Sequence, residues 1–203
     1  MFDLSGQQVL FRIGSALFIT GVHGYAMAIV ARLMGDPGPF HDGRWTINPL
    51  QHLQPLGFLS MILFRIGWIK PMAVDHELLR GGRAGLFVVV LVSLAVTLLV
   101  AEGLWLLRPW LLTSFVGTSA IQTSVLWFEN VATMTAAFVV FNLIPIPPFA
   151  AGLLLSGYAP RLYALLVRRI MLPSAVLALI LYFADRAGLV APLYRDVAGW
   201  FFR

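Results

Sequence analysis

"AGLFVVVLVSLAVTLLVAEGLWLL", residues 84–107, carries a single charge, Glu102, and that charge lies near one end. A helix needs roughly 20 mostly apolar residues to cross a hydrocarbon layer about 30 Å thick, because each residue rises about 1.5 Å. The stretch meets that length, so it reads as a membrane-spanning helix and sets the class of the chain around it. Across all 203 residues, 60% are hydrophobic and 11% are charged. Soluble domains carry about 25% charged residues. The chain is therefore expected to be an all-α integral membrane protein.

Working outward, 9–34, 53–68, 125–144 and 170–183 are also apolar enough to enter a bilayer. "PIPPFAAGLLLSG", 145–157, is apolar but broken by prolines, which fix φ and remove donors. It predicts a helix break over 145–148 and a short or re-entrant segment within 145–156. Together these segments predict a polytopic bundle of about five to six transmembrane helices in one membrane domain, 1–203, ending in a last helix and tail over 170–203. "GDPGPFHDGRWTINPLQ", 35–51, has three prolines and three glycines, and reads as an interfacial loop. The first segment lacks a basic start and is too long for a cleaved leader, so it is expected to remain as an anchor.

The 14 basic and 9 acidic residues give a formal charge of +5, with the basic ones scattered at segment ends. That scatter argues against nucleic acid and places most arginines at the lipid headgroups, with the bilayer itself as a partner. There is no cysteine, which excludes disulfides and thiolate metal sites. Loop 70–83 holds Lys70, Arg80 and Arg83, and loop 161–169 holds Arg161, Arg168 and Arg169. If the segments alternate across a bacterial inner membrane, the positive-inside tendency puts both loops, and the N-terminus with them, on the cytoplasmic side.

An ionisable residue inside a membrane is a functional candidate by default. His23 lies in the middle of the first segment. A helical zinc ligand would share its face with a second ligand four residues on, but that residue is Met27, and the neighbouring Gly24 carries no acid. A thioether suits copper better than zinc, and one histidine with one methionine makes no site. The residues alone favour a buried histidine hydrogen-bonded across helices. Arg65, Glu102, Glu129 and Asn130 lie near segment ends, where long side chains snorkel to the interface or meet a partner.

Four stretches carry a resemblance: "HGYAM" at 23–27, "MGDPGPFHDGRWTINPLQHLQPLG" at 34–57, "GWIKP" at 67–71 and "NLIPIPPFAAG" at 142–152. In this order they resemble the site-2 protease family of intramembrane zinc metalloproteases, in its compact form without a PDZ domain. The family shows H-E-x-x-H, then G-R-x-T-x-N-P-x-x-H, G-W-x-K-P and N-L-x-P-I-P-P-L-D-G-G. The resemblance covers 23–152. It implies that both histidines of H-E-x-x-H and the later aspartate bind zinc, with the glutamate as general base.

Carried over position by position, the resemblance keeps the first histidine as His23. It puts Gly24 in place of the glutamate, Met27 in place of the second histidine and Ala150 in place of the aspartate. "LVSLAV", 91–96, stands where something like L-A-G-P-L-A is expected, and Gln54 replaces the aspartate after His52. This implies a lost zinc site, no cofactor and a pseudoprotease. A rebuilt site could draw on Asp36, His41, Asp42, His52 or His76, but the loops holding them are expected to lie about three turns from His23.

The retained Asn48, His52, Asn142, Pro145, Pro147 and Pro148, with His23, would shape a cleft able to hold an extended peptide or a transmembrane helix. The expected role is a binding or scaffold subunit of a multisubunit complex of other integral membrane proteins. The alternatives are an intramembrane metalloprotease with a rearranged metal site, and a regulator that sequesters the clients of an active relative.

Overall fold

The computed structural model describes residues 5–115 and 120–202. Its first helix, α1 (Gly6–Met34), starts at a capping box. The Ser5 hydroxyl accepts from the Gln8 amide at 3.2 Å, and the Gln8 side chain accepts from the Ser5 amide at 3.2 Å. It stops at Gly35, whose φ of 116° is open to glycine and whose amide caps the Ala31 and Arg32 carbonyls. Two more long helices, α5 (Arg83–Phe115) and α6 (Ile121–Asn142), pack on α1. Small buried residues at the contacts, Ala16, Ala28, Ser93 and Ala136, let the backbones approach closely, and Ile19, Leu86, Leu94, Met134 and Phe138 fill the space between.

Among the described residues three helices, α1, α5 and α6, are long and apolar enough to cross a membrane. A fourth span results if α8 (Pro160–Arg168) and α9 (Met171–Arg186), bent by 82°, count as one. The architecture is thus helical and membrane-type, with fewer spans than the five or six expected. The main difference is 53–68. Only α4 (Pro55–Phe64) is helical there, and ten residues extend about 15 Å, half a membrane. The chain turns at Arg65 and comes back without regular structure.

That return decides the topology. The Lys70 amide donates to the His52 carbonyl at 2.7 Å, the Asp75 amide to the Asp36 carboxylate at 2.8 Å and the Arg80 amide to the Met34 carbonyl at 2.7 Å. Loops 35–51 and 70–83 therefore lie at the same end of the bundle, not at opposite ends. The alternation used to place the N-terminus fails at this point, because a contiguous apolar run does not reveal that its chain doubles back.

Loop 35–51 is also less superficial than expected. It contains α2 (Gly38–His41) and leads into α3 (Pro49–His52), and its end is pressed against α1. A Cβ at Gly21 would sit 2.5 Å from the Ile47 carbonyl oxygen, so only glycine permits this approach. Beyond α6, 145–156 forms the expected break and short segment: a 3₁₀ turn (Ala150–Leu153) and α7 (Leu154–Tyr158). The expected last helix and tail resolve into two helices, α9 and α10 (Val190–Phe201). The second packs on α6 and α9 through Val190 and Tyr194.

Candidate functional site

His23 is fully buried. Its Nδ1 lies 3.0 Å from Thr97 Oγ1 on α5, and its ring stands edge-on to Phe138 of α6 with centroids 4.9 Å apart. Thr97 has one hydroxyl proton, and that proton goes to the Ser93 carbonyl at 2.7 Å. Its oxygen can then only accept, so His23 carries its proton on Nδ1 and presents a bare lone pair at Nε2. Nε2 is buried with no hydrogen-bond partner among the described residues. The expected cross-helix hydrogen bond is present, and it satisfies half of the ring.

Gly24 faces the end of the loop. A Cβ built on it would lie 2.1 Å from His52 Cγ and 2.3 Å from Nδ1. The imidazole of His52 thus fills the space that a side chain at position 24 would need. His52 is itself fully buried and tightly held: its Nε2 donates to the Thr46 carbonyl at 2.8 Å, while Nδ1 accepts from Arg44 Nη1 at 3.2 Å. Arginine offers only donors, which fixes this tautomer.

The Arg44 guanidinium also donates from Nη1 to the Gln51 carbonyl, and from Nη2 to the carbonyls of Lys70 and Pro71, each at 3.0 Å. One side chain ties α3 to the returning segment. Burial, reinforced by the Arg44 charge, holds the His52 pKa below its ordinary 6.5, against the opposing pull of the Thr46 carbonyl. Burial likewise lowers that of Arg44.

Met27 and Ala150 line a shared cavity of about 20 Å³ with Met72, Pro147, Pro148 and Phe149 among its walls. That is room for about one water molecule. Ala150 is positioned by Asn142: the Ala150 amide donates to Asn142 Oδ1 at 2.9 Å, and Asn142 Nδ2 donates to Gly67 at 2.9 Å and Phe138 at 2.8 Å. Asn142 therefore joins two retained motif stretches, "GWIKP" and "NLIPIPP", through backbone atoms. Pro147 and Pro148 are buried beside it and joined by a cis peptide bond, whereas Pro145 is exposed. Asn48 is exposed too, and its side chain caps α3 by accepting from the Leu50 amide at 3.1 Å.

Of the expected cleft residues, His52 meets Gly24 beside His23, while Asn142, Pro147 and Pro148 surround Ala150. Asn48 and Pro145 stand outside. Arg44 and Thr97 were not singled out from the sequence. Arg44 lies in the "GRWTINP" stretch and was open to discovery there, whereas nothing in "SLAVT" signals that Thr97 meets His23.

These residues do not fit a zinc ion. Zinc takes three or four N, O or S ligands at about 2.0–2.3 Å. Among the described residues no three of His, Asp or Glu gather on one point. Position 24 is occupied by a neighbour's ring, and position 150 offers a methyl group.

No family model matches the chain, and no solved structure matches it. It is similar to the "Putative zinc metalloprotease YwhC" of Bacillus subtilis (strain 168), 27% identical over 141 residues, which are 68% of this chain and 64% of that protein. The chain thus spans just under two thirds of that relative's length. The similarity supports the relationship read from the motifs: this is a helical membrane protein similar to the site-2 proteases.

Proposed function

We propose that the chain is a catalytically inactive relative of the site-2 proteases that serves as a binding or scaffold subunit among other integral membrane proteins. The observation that carries this is the ring of His52 lying where a general base at position 24 would stand. With Met27 and Ala150 at the other two positions, a water there has neither a metal to acidify it nor a carboxylate to take its proton. The backbone around the cleft is kept in order by Arg44 and Asn142, which suits a surface that binds and does not cut.

Metal analysis of the purified protein tests the inactivity. Zinc well below one per chain is expected, and stoichiometric zinc that disappears in His23→Ala would overturn it. That second outcome is the rearranged metalloprotease, a reading favoured by the unpartnered Nε2 of His23. Co-purification in mild detergent tests the role: a scaffold brings down one complex in fixed ratio, whereas a regulator that sequesters clients brings down varied proteins.

The setting is a bacterial inner membrane. Lys70, Arg80 and Arg83 share one end of the bundle with α7 and the start of α8, since Gly157 packs against Arg83. The positive-inside count over that end supports a cytoplasmic placement for it, with the N-terminus across the membrane. The chain has no cysteine, so Gly82→Cys and Gln7→Cys each give a single reporter. An impermeant maleimide applied to spheroplasts should label the second and spare the first.

A further inference from the structure

Arg65 ends α4 with φ at 65°, the one positive φ of a non-glycine residue among the described residues. Glycine or asparagine normally closes a helix in this left-handed conformation, and other side chains are held there against a steric penalty. An arginine at such a place points to a use for its side chain. That side chain lines a cavity of about 400 Å³ at the end of the bundle away from the loops, between the first turns of α1 and the first half of α6. Gln8, Glu129, Asn130 and Thr133 line it too.

Two atoms of this lining are buried and lack a partner among the described residues, Arg65 Nε and Asn130 Oδ1. One is a donor on a cation and the other an acceptor. Buried polar atoms are nearly always satisfied, by protein, water or a ligand. Thr133 spends its hydroxyl proton on the Glu129 carbonyl at 2.8 Å, so its oxygen adds a further acceptor. The wall thus offers a cationic donor beside a carboxylate and neutral acceptors.

We propose that this cavity binds a phosphoamine group, such as the headgroup of phosphatidylethanolamine, with its phosphate on Arg65 and its ammonium on Glu129 and Asn130 Oδ1. Phosphatidylglycerol supplies the phosphate but no cation for Glu129. Phosphatidylcholine supplies a cation with no N–H for Asn130. A phospholipid and a free phosphoamine share this chemistry, and the test separates them.

The full-length protein is delipidated, reconstituted in nanodiscs of the three phospholipids in equal parts, and its retained lipid is counted by native mass spectrometry. Retention of the ethanolamine lipid about tenfold over the other two is expected, a difference of about 1.4 kcal/mol in binding. Arg65→Gly should abolish that preference without lowering the melting temperature, because glycine suits the positive φ. Glu129→Gln should bring the ethanolamine lipid down to the level of the choline lipid. An unchanged lipid profile in Arg65→Gly, or equal retention of all three lipids by the wild type, overturns the proposal. Soluble O-phosphoethanolamine added to the wild type identifies the source: displacement of the lipid assigns the site to the free compound, and continued retention assigns it to the membrane.

Discussion

The two flanks of the cleft, Gly24 and Ala150, lack the side chains that zinc chemistry would need, yet their surroundings differ. At Gly24 the space is occupied by the His52 ring, 2.1 Å from where a Cβ would be. At Ala150 a cavity of about 20 Å³ persists. The neighbour of Gly24 is a side chain, which can enter an empty space. At Ala150 the turn itself is fixed: its amide is held by Asn142, and a Cβ at Gly152 would meet Pro147 N at 2.3 Å, so the backbone there is already in contact and cannot move inward. One flank is full and the other slightly open, and substitutions should affect them in opposite measure.

The largest effect is expected at the full flank. Gly24→Glu forces a side chain into the His52 ring and should destabilise the fold by about 3 kcal/mol or more, seen as a lost or broadened melting transition in detergent. Adding His52→Gly should recover much of that loss. A Gly24→Glu protein as stable as the wild type would break the contrast between the flanks. The same pairing governs any attempt to rebuild a zinc site: Gly24→Glu, Met27→His and Ala150→Asp together should bind zinc only once His52 is also removed.

Next in size is Asn142→Leu, which leaves the Ala150 amide and the Gly67 carbonyl without their buried partner and should cost about 2–3 kcal/mol by the same measurement. A smaller effect comes from acid. The His52 pKa is lowered in the folded protein, so the unfolded chain binds more protons in the window just below 6.5. Its contribution to stability is complete above that pH and is lost as the pH falls through the folded value. The melting temperature should decline below about pH 6.5. His52→Gln, which can still accept from Arg44 and donate to Thr46, should flatten that decline. Smallest of all is Ala150→Ser at the open flank, expected to shift stability by less than about 1 kcal/mol because the cavity can take one more oxygen atom.

The sequence was informative where a residue's identity alone answers the question. The apolar run of α5 is visible in one dimension, and so are the glycine at 24 and the alanine at 150, because residue type is the same in any fold. The course of 53–74 was not visible. Hydropathy responds to apolar content, and it scores a half-membrane helix followed by an irregular return the same as a crossing helix. What separates them is a set of backbone bonds, Lys70 to His52 and Arg80 to Met34, which leave no mark on residue type. The meeting of His52 with Gly24 lies between these cases. Both residues stand in recognisable motif stretches, but only the path of α3 back along α1 brings them together.

The half-satisfied imidazole of His23 has a practical consequence. The chain contains four histidines, and this one keeps an unprotonated Nε2 that meets no hydrogen-bonding group among the described residues. In a ¹⁵N spectrum that nitrogen should resonate as a bare pyridine-type atom. Anything that enters the cleft and offers it a proton or a metal would shift this one line, which makes the ring a reporter of what the cleft holds.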